Sequence, residues 1–136
     1  MSPASEAAFS LLEKARGDWL VCDKLLKDST VPVWIVGFHA QQAVEKSLKA
    51  VLSASRIEYP HTHNLTMLIE LLRKHDLDLP EDVSEMARLT PFGAALRYDE
   101  MSPEENLSLD KEWVKSCVSK IIAWAESRLG SNQIHK

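Results

Sequence analysis

One stretch constrains this chain more than any other: FHAQQAVEKSLKAVL, from Phe38 to Leu52. It keeps a helical period and contains neither Gly nor Pro. At about 100° per residue, Val36, Ala40, Ala43, Val44, Leu48, Ala50 and Val51 fill one broad arc. Phe38, Gln42, Glu45 and Lys49 fall together in an arc of roughly 60° on the other side, with His39 and Lys46 beside it. A merely solvated face tolerates any polar residue, so an aromatic, an amide, a carboxylate and an ammonium at this spacing describe a specified surface. Glu45 stands four residues before Lys49, the better orientation for a helical ion pair, though an exposed pair adds only about 0.3–0.5 kcal/mol.

The remaining segments supply helices to cover the apolar arc. From Ser5 to Lys27, Ala8, Leu11, Leu12, Ala15, Trp19, Cys22, Leu25 and Leu26 recur at spacings of three and four, which predicts a long amphipathic first helix. Asp28, Ser29 and Thr30 end it, and Pro32 suits the first turn of the next helix, which runs to about Ser53. Arg56 to His63 reads as a loop around Pro60. Thr62 or Asn64 can cap a third helix with the face Leu65, Leu68, Ile69 and Leu72. A fourth segment from Glu81 uses Val83, Met86 and Leu89, and Thr90-Pro91 is read as the restart of an interrupted turn. Ser102-Pro103-Glu104-Glu105 is a helix-start signal. The last helix then buries Leu107, Val114, Cys117, Val118, Ile121, Ala125 and Trp124, and Gly130 closes it.

The chain is all-α on this reading: an up-and-down antiparallel bundle of four main helices plus a short extra one. Its 136 residues, 45% of them hydrophobic, suffice for one core and fall short of two ordinary domains. Residues 1–130 are expected to form that domain, with 131–136 as a frayed tail. A net charge of −4 and a pI near 5.7 argue against the broad basic surface that drives non-specific nucleic-acid binding. No apolar run is long enough to span a bilayer and no signal-peptide layout opens the chain, so a cytoplasmic location without a membrane partner is expected. Cys22 and Cys117 fall at apolar helical positions and read as buried thiols.

In this order the segments resemble the HEPN domain (higher eukaryotes and prokaryotes nucleotide-binding). Ala15, Asp18 and Trp19 in the first helix, the Phe38–Leu52 stretch, His63-Asn64-Leu65 before the third helix and Leu96-Arg97-Tyr98 carry the resemblance. It implies a bundle like the substrate-binding accessory domain of some nucleotidyltransferases. It also implies homodimers, and small proteins paired with a minimal nucleotidyltransferase, often in toxin–antitoxin modules. Some members are metal-independent ribonucleases that set a late arginine and a histidine four to six residues on across a dimer.

This chain departs from that catalytic pattern. Arg97 is followed by Tyr98, Asp99, Glu100, Met101, Ser102, Pro103 and Glu104, and no side chain there takes a proton at neutral pH as an imidazole does. The same spacing recurs where Arg56 precedes His61 and His63 and where Arg128 precedes His135, but in the wrong context for the family motif. His61 and His63, with His39, make a metal site only if a third ligand converges on them; their other reading is loop packing, and no metal is expected. Phe38, Gln42, Glu45, Lys46, Lys49, His63, Arg97 and Tyr98 are the candidate nucleotide- or partner-binding residues. Phe38 would stack on a base, Gln42 would read its edge, and Lys46 or Lys49 with Arg97 would meet phosphates. The same helix face also reads as structural, or as a dimer or partner contact. Of the four Trp residues, Trp34 and Trp113 are candidates for partner-facing rings, unless all four close the ends of the core.

The expected function is a non-catalytic nucleotide-binding or regulatory subunit acting with a nucleotidyltransferase and needing no cofactor. A metal-independent endoribonuclease acting on RNA through Arg56 or Arg97 with His61 or His63 is the first alternative, and a structural homodimer the second.

Overall fold

A computed structural model describes the backbone of residues 2–100 and 109–134 and the side chains of residues 2–93 and 109–130. Its first helix, α1 (Pro3–Leu26), begins earlier than the apolar period suggests. Ser2 caps it by accepting from the Ser5 N–H at 3.1 Å, and Pro3 occupies the first position, where no N–H is missed. Asp28 closes the following turn by accepting from both the backbone N–H and the hydroxyl of Thr30.

The chain then reverses into α2 (Val33–Ala54). The contacts between the two helices run in opposite order along them: Cys22 reaches Val36, Asp18 reaches His39 and Lys46, and the Ser53 hydroxyl reaches the Ala4 carbonyl. They are therefore antiparallel. α2 is the central element of the bundle, packed against α1, the last helix, the third helix and the segment that follows it. Its buried residues cover nearly the whole circumference: Val36, Ala40, Ala43, Val44, Leu48, Ala50, Val51 and Leu52, together with the polar Gln41, Glu45, Ser47 and Lys49.

Both α2 and α3 (Leu65–Lys74) end the same way. Arg56 and Asp76 adopt positive φ, at 59° and 55°, and the next residues, Ile57 and Leu77, donate back to the carbonyls of Leu52 and Leu72. This left-handed cap satisfies terminal carbonyls and turns the apolar residue back onto the core. Asn64, one of the two predicted caps, starts α3 by accepting from the Thr66 and Met67 N–H groups. The predicted face of Leu65, Leu68, Ile69 and Leu72 is buried.

Where the sequence suggests a restart at Thr90-Pro91, the structure changes helix type earlier. α4 (Val83–Met86) passes at Ala87 into a 3-10 helix, Ala87–Glu100, that includes Pro91. Thr90 is no cap for its own segment; its hydroxyl accepts the Leu65 N–H at 3.2 Å and so completes the start of α3. Asp99 and Glu100 belong to this helix. Two further expectations change. The last helix, α5 (Lys111–Ile134), begins well after Ser102-Pro103, because Asp110 accepts from the Glu112 and Trp113 N–H groups and caps it there. Ser102 to Glu105 and Leu107 lie outside the described residues. Gly130 does not close α5: no glycine has positive φ, and the helix continues to Ile134.

The core joins Val114, Cys117, Val118, Ile121, Ala125 and Leu129 of α5 to the buried faces of the other helices. All four Trp rings are half-buried against this core. Trp124, expected inside, instead reaches the surface with its Nε1–H donating to the Asp78 carbonyl, while Trp113 lies under the Arg88 guanidinium at 4.7 Å. Both thiols are buried, and burial, with nearby carboxylate charge, pushes each up to about 12. The fold is an all-α bundle, and among the described residues no helix is long and apolar enough to cross a membrane.

Candidate functional site

Gln41, Glu45 and Lys49 follow one another at intervals of four on α2 and so form a single row along it. The left-handed turn at Arg56 sends the chain back along this row. Tyr59 then comes to lie against the Lys49 ammonium, 5.7 Å from the ring centre, and His63 lies beside Glu45. The 3-10 helix covers the other side. A Cβ on Gly93 would come within 2.8 Å of the Gln41 amide, and one on Gly37 would enter the Phe92 ring. Each element thus uses a glycine to admit a side chain of the other.

Glu45 is the centre of the resulting network. One carboxylate oxygen accepts from Lys49 Nζ at 2.9 Å; the other accepts from Gln41 Nε2 at 2.9 Å and lies 2.9 Å from His63 Nδ1. Gln41 also donates to the His63 carbonyl, and its own oxygen accepts from Gln42 Nε2. Burial alone would push the Glu45 carboxyl up, but the hydrogen bonds from Lys49, Gln41 and His63 and the Lys49 charge outweigh it and hold the carboxyl below its ordinary value. An ionised carboxylate only accepts, so Nδ1 of His63 carries the hydrogen that faces it. The imidazole is 69% exposed and presents Nε2 to solvent. Burial, followed by the Glu45 charge, raises the Tyr59 phenol.

A second cluster lies on the α1 side. Asp18 accepts from Lys46 Nζ at 2.6 Å and lies 3.2 Å from His39 Nδ1, and the Phe38 ring meets His39 edge-on at 5.3 Å. The predicted face of Phe38, Gln42, Glu45, Lys46 and Lys49 is therefore divided. Glu45 and Lys49 are interior, Gln42 feeds the Glu45 network, and Phe38 and Lys46 belong with Asp18. Both candidate phosphate-binding lysines are already paired with carboxylates. The sequence gives Gln41 no role, although an amide four residues before a carboxylate, on an otherwise apolar flank, is a sign of a buried network.

His61 is exposed, and Arg56 serves as a left-handed cap whose side chain makes no ion pair among the described residues. Arg128 is held by the Asp78 carbonyl, and His135 lies outside the described residues. Arg97 and Tyr98 fall on the 3-10 helix shortly after Gly93, with side chains outside the described residues. Among the described residues no three His, Cys, Asp or Glu side chains are grouped to hold a metal ion. A separate cavity of about 290 Å³ lies at the turn between α1 and α2, lined by Leu25, Val31, Val36 and Val114 with Asp28 and Lys111 at its polar edge.

The HEPN domain family model matches residues 8–128, from the first buried turn of α1 to the end of the α5 core. The chain belongs to the HEPN domain family. No curated protein and no solved structure matches it. As a HEPN domain, the chain falls in a family of nucleotide-binding or ribonuclease-like proteins.

Proposed function

We propose that this HEPN domain is a nucleotide-binding or regulatory subunit without a catalytic centre of its own, acting with a nucleotidyltransferase partner in a paired, toxin–antitoxin-type module. One observation carries the reading: the charged groups of the α2 face are spent inside the fold. Glu45 is neutralised by Lys49, and Asp18 by Lys46. What remains at the surface is a positioned imidazole, His63, near the helix that carries Arg97. No histidine follows Arg97 through Glu104. A fixed imidazole edge and a guanidinium suit recognition of a phosphate oxygen; in-line cleavage needs a paired acid and base as well.

The endoribonuclease reading keeps one point in its favour. A carboxylate holds His63 Nδ1, which leaves Nε2 oriented as a general base requires. Incubation of the protein with labelled RNA in chelator, beside Arg97→Ala and His63→Ala, separates the two. The proposal expects intact RNA in every lane and a rise in melting temperature with ATP or GTP that both substitutions diminish. Cleavage by the unsubstituted chain that either substitution abolishes would sink it.

A further inference from the structure

The cavity at the turn between α1 and α2 plays no part in the networks around Glu45 and Asp18. Three helix ends wall it with aliphatic side chains: Leu25 from the end of α1, Val33 and Val36 from the start of α2, and Val114 from the start of α5, with Val31 from the turn. Its volume, about 290 Å³, falls at the lower edge of the range of about 300–1,000 Å³ for small-molecule sites, so an occupant must be small. Val36 precedes Glu45 by nine residues, which places the cavity about 13 Å along α2 from that network.

The mouth carries one charge of each sign. Asp28 Oδ1 accepts twice from Thr30, and these bonds, followed by the Lys111 charge, hold the carboxyl below its ordinary value. It is therefore ionised at neutral pH. Lys111 is exposed and makes no ion pair among the described residues, with Asp28 or any other. The two charges are near enough to influence each other and too far apart to pair directly. That gap selects the ligand. A fatty acid would bring its carboxylate up to Asp28, and a simple amine would bring its ammonium up to Lys111; like charges are opposed in either case. A molecule with adjacent ammonium and carboxylate groups meets both, and an aliphatic tail suits the walls. We infer that this cavity is a binding site for a free aliphatic α-amino acid of about leucine's size, its ammonium toward Asp28, its carboxylate toward Lys111 and its side chain among the valines and leucines. Such a ligand would brace the α1–α2 turn against the start of α5. The inference goes beyond the functional reading above and does not depend on it.

Titration of the full chain with L-leucine, followed by two-dimensional amide NMR, should move the resonances of Ser29, Val31, Val33 and Lys111. The shifts should saturate, with half-saturation at about 1 mM or below. Leucinamide lacks the carboxylate and N-acetyl-leucine lacks the ammonium, so each should bind at least about tenfold more weakly. Asp28→Asn, which keeps an oxygen for Thr30, and Lys111→Gln should each weaken leucine by a similar factor. Both side chains are exposed, so the melting temperature without ligand should stay unchanged. Val33→Phe adds bulk to the wall and should abolish binding while the helical circular dichroism is retained. Absence of saturable shifts at these residues would overturn the inference. So would equal binding of leucine, leucinamide and N-acetyl-leucine, which would mark an apolar hollow indifferent to the charges at its mouth.

Discussion

Glu45 shows how a single side chain can carry opposite readings on the surface and in the interior. On an exposed helix its pairing with Lys49 would be worth a few tenths of a kcal/mol; here the carboxylate is only 4% exposed and the lysine 9%. Removing one member strands the other charge, so Glu45→Gln should cost about 3 kcal/mol in urea denaturation. Adding Lys49→Met should recover most of that loss, because an apolar chain of similar length needs no counter-ion. The pH dependence follows from the lowered carboxyl. The folded chain binds this proton less readily than the unfolded one, so the stabilisation is complete at neutral pH and is lost as pH falls below about 4.3. In Glu45→Gln the acid limb of the stability profile should flatten. The thiols give a second check at this scale. With Cys22 and Cys117 pushed up to about 12 and buried, a disulfide reagent at pH 8 should titrate neither in the native chain and both in denaturant.

At the scale of elements, the glycines separate positions that packing requires from those it leaves open. Gly37→Ala forces the Phe92 ring away from α2 and should destabilise by about 1–3 kcal/mol. Gly17→Ala should stabilise by about 1 kcal/mol, since it adds helix propensity in open space. Helix faces and the Asn64 cap were legible in the sequence because both depend on residues within a turn or two. The start of α5 was not, because Asp110 is one of several polar residues ahead of the apolar period and only the fold shows that it accepts the first N–H groups. Gly130 misled for a related reason: a glycine permits a left-handed terminus without imposing one. The switch to a 3-10 helix at Ala87 has no local signal comparable to Pro91, which attracted the prediction.

For the whole molecule, the all-α bundle could be read from periodicity, and the division of the α2 face could not. A wheel assigns residues to sides of a helix but not the element that covers each side. Glu45 and Lys49 became interior only because the chain doubles back after Arg56 and the 3-10 helix seats Gly93 on Gln41. Gln41, the hub of the network, therefore had no visible role, whereas Phe38 and Lys46 were grouped with residues that the fold assigns to a different cluster. The enclosure of α2 also sets a hierarchy of opening. Four other elements must separate before its middle turns meet water, while the ends of α1 and α3 border solvent. Amide hydrogen exchange should find the slowest protons between Val44 and Leu52, exchanging only through global unfolding, and faster ones toward the end of α3. A central helix shared by every neighbour couples their fates, so the bundle should come apart as one cooperative unit rather than shed its helices in turn.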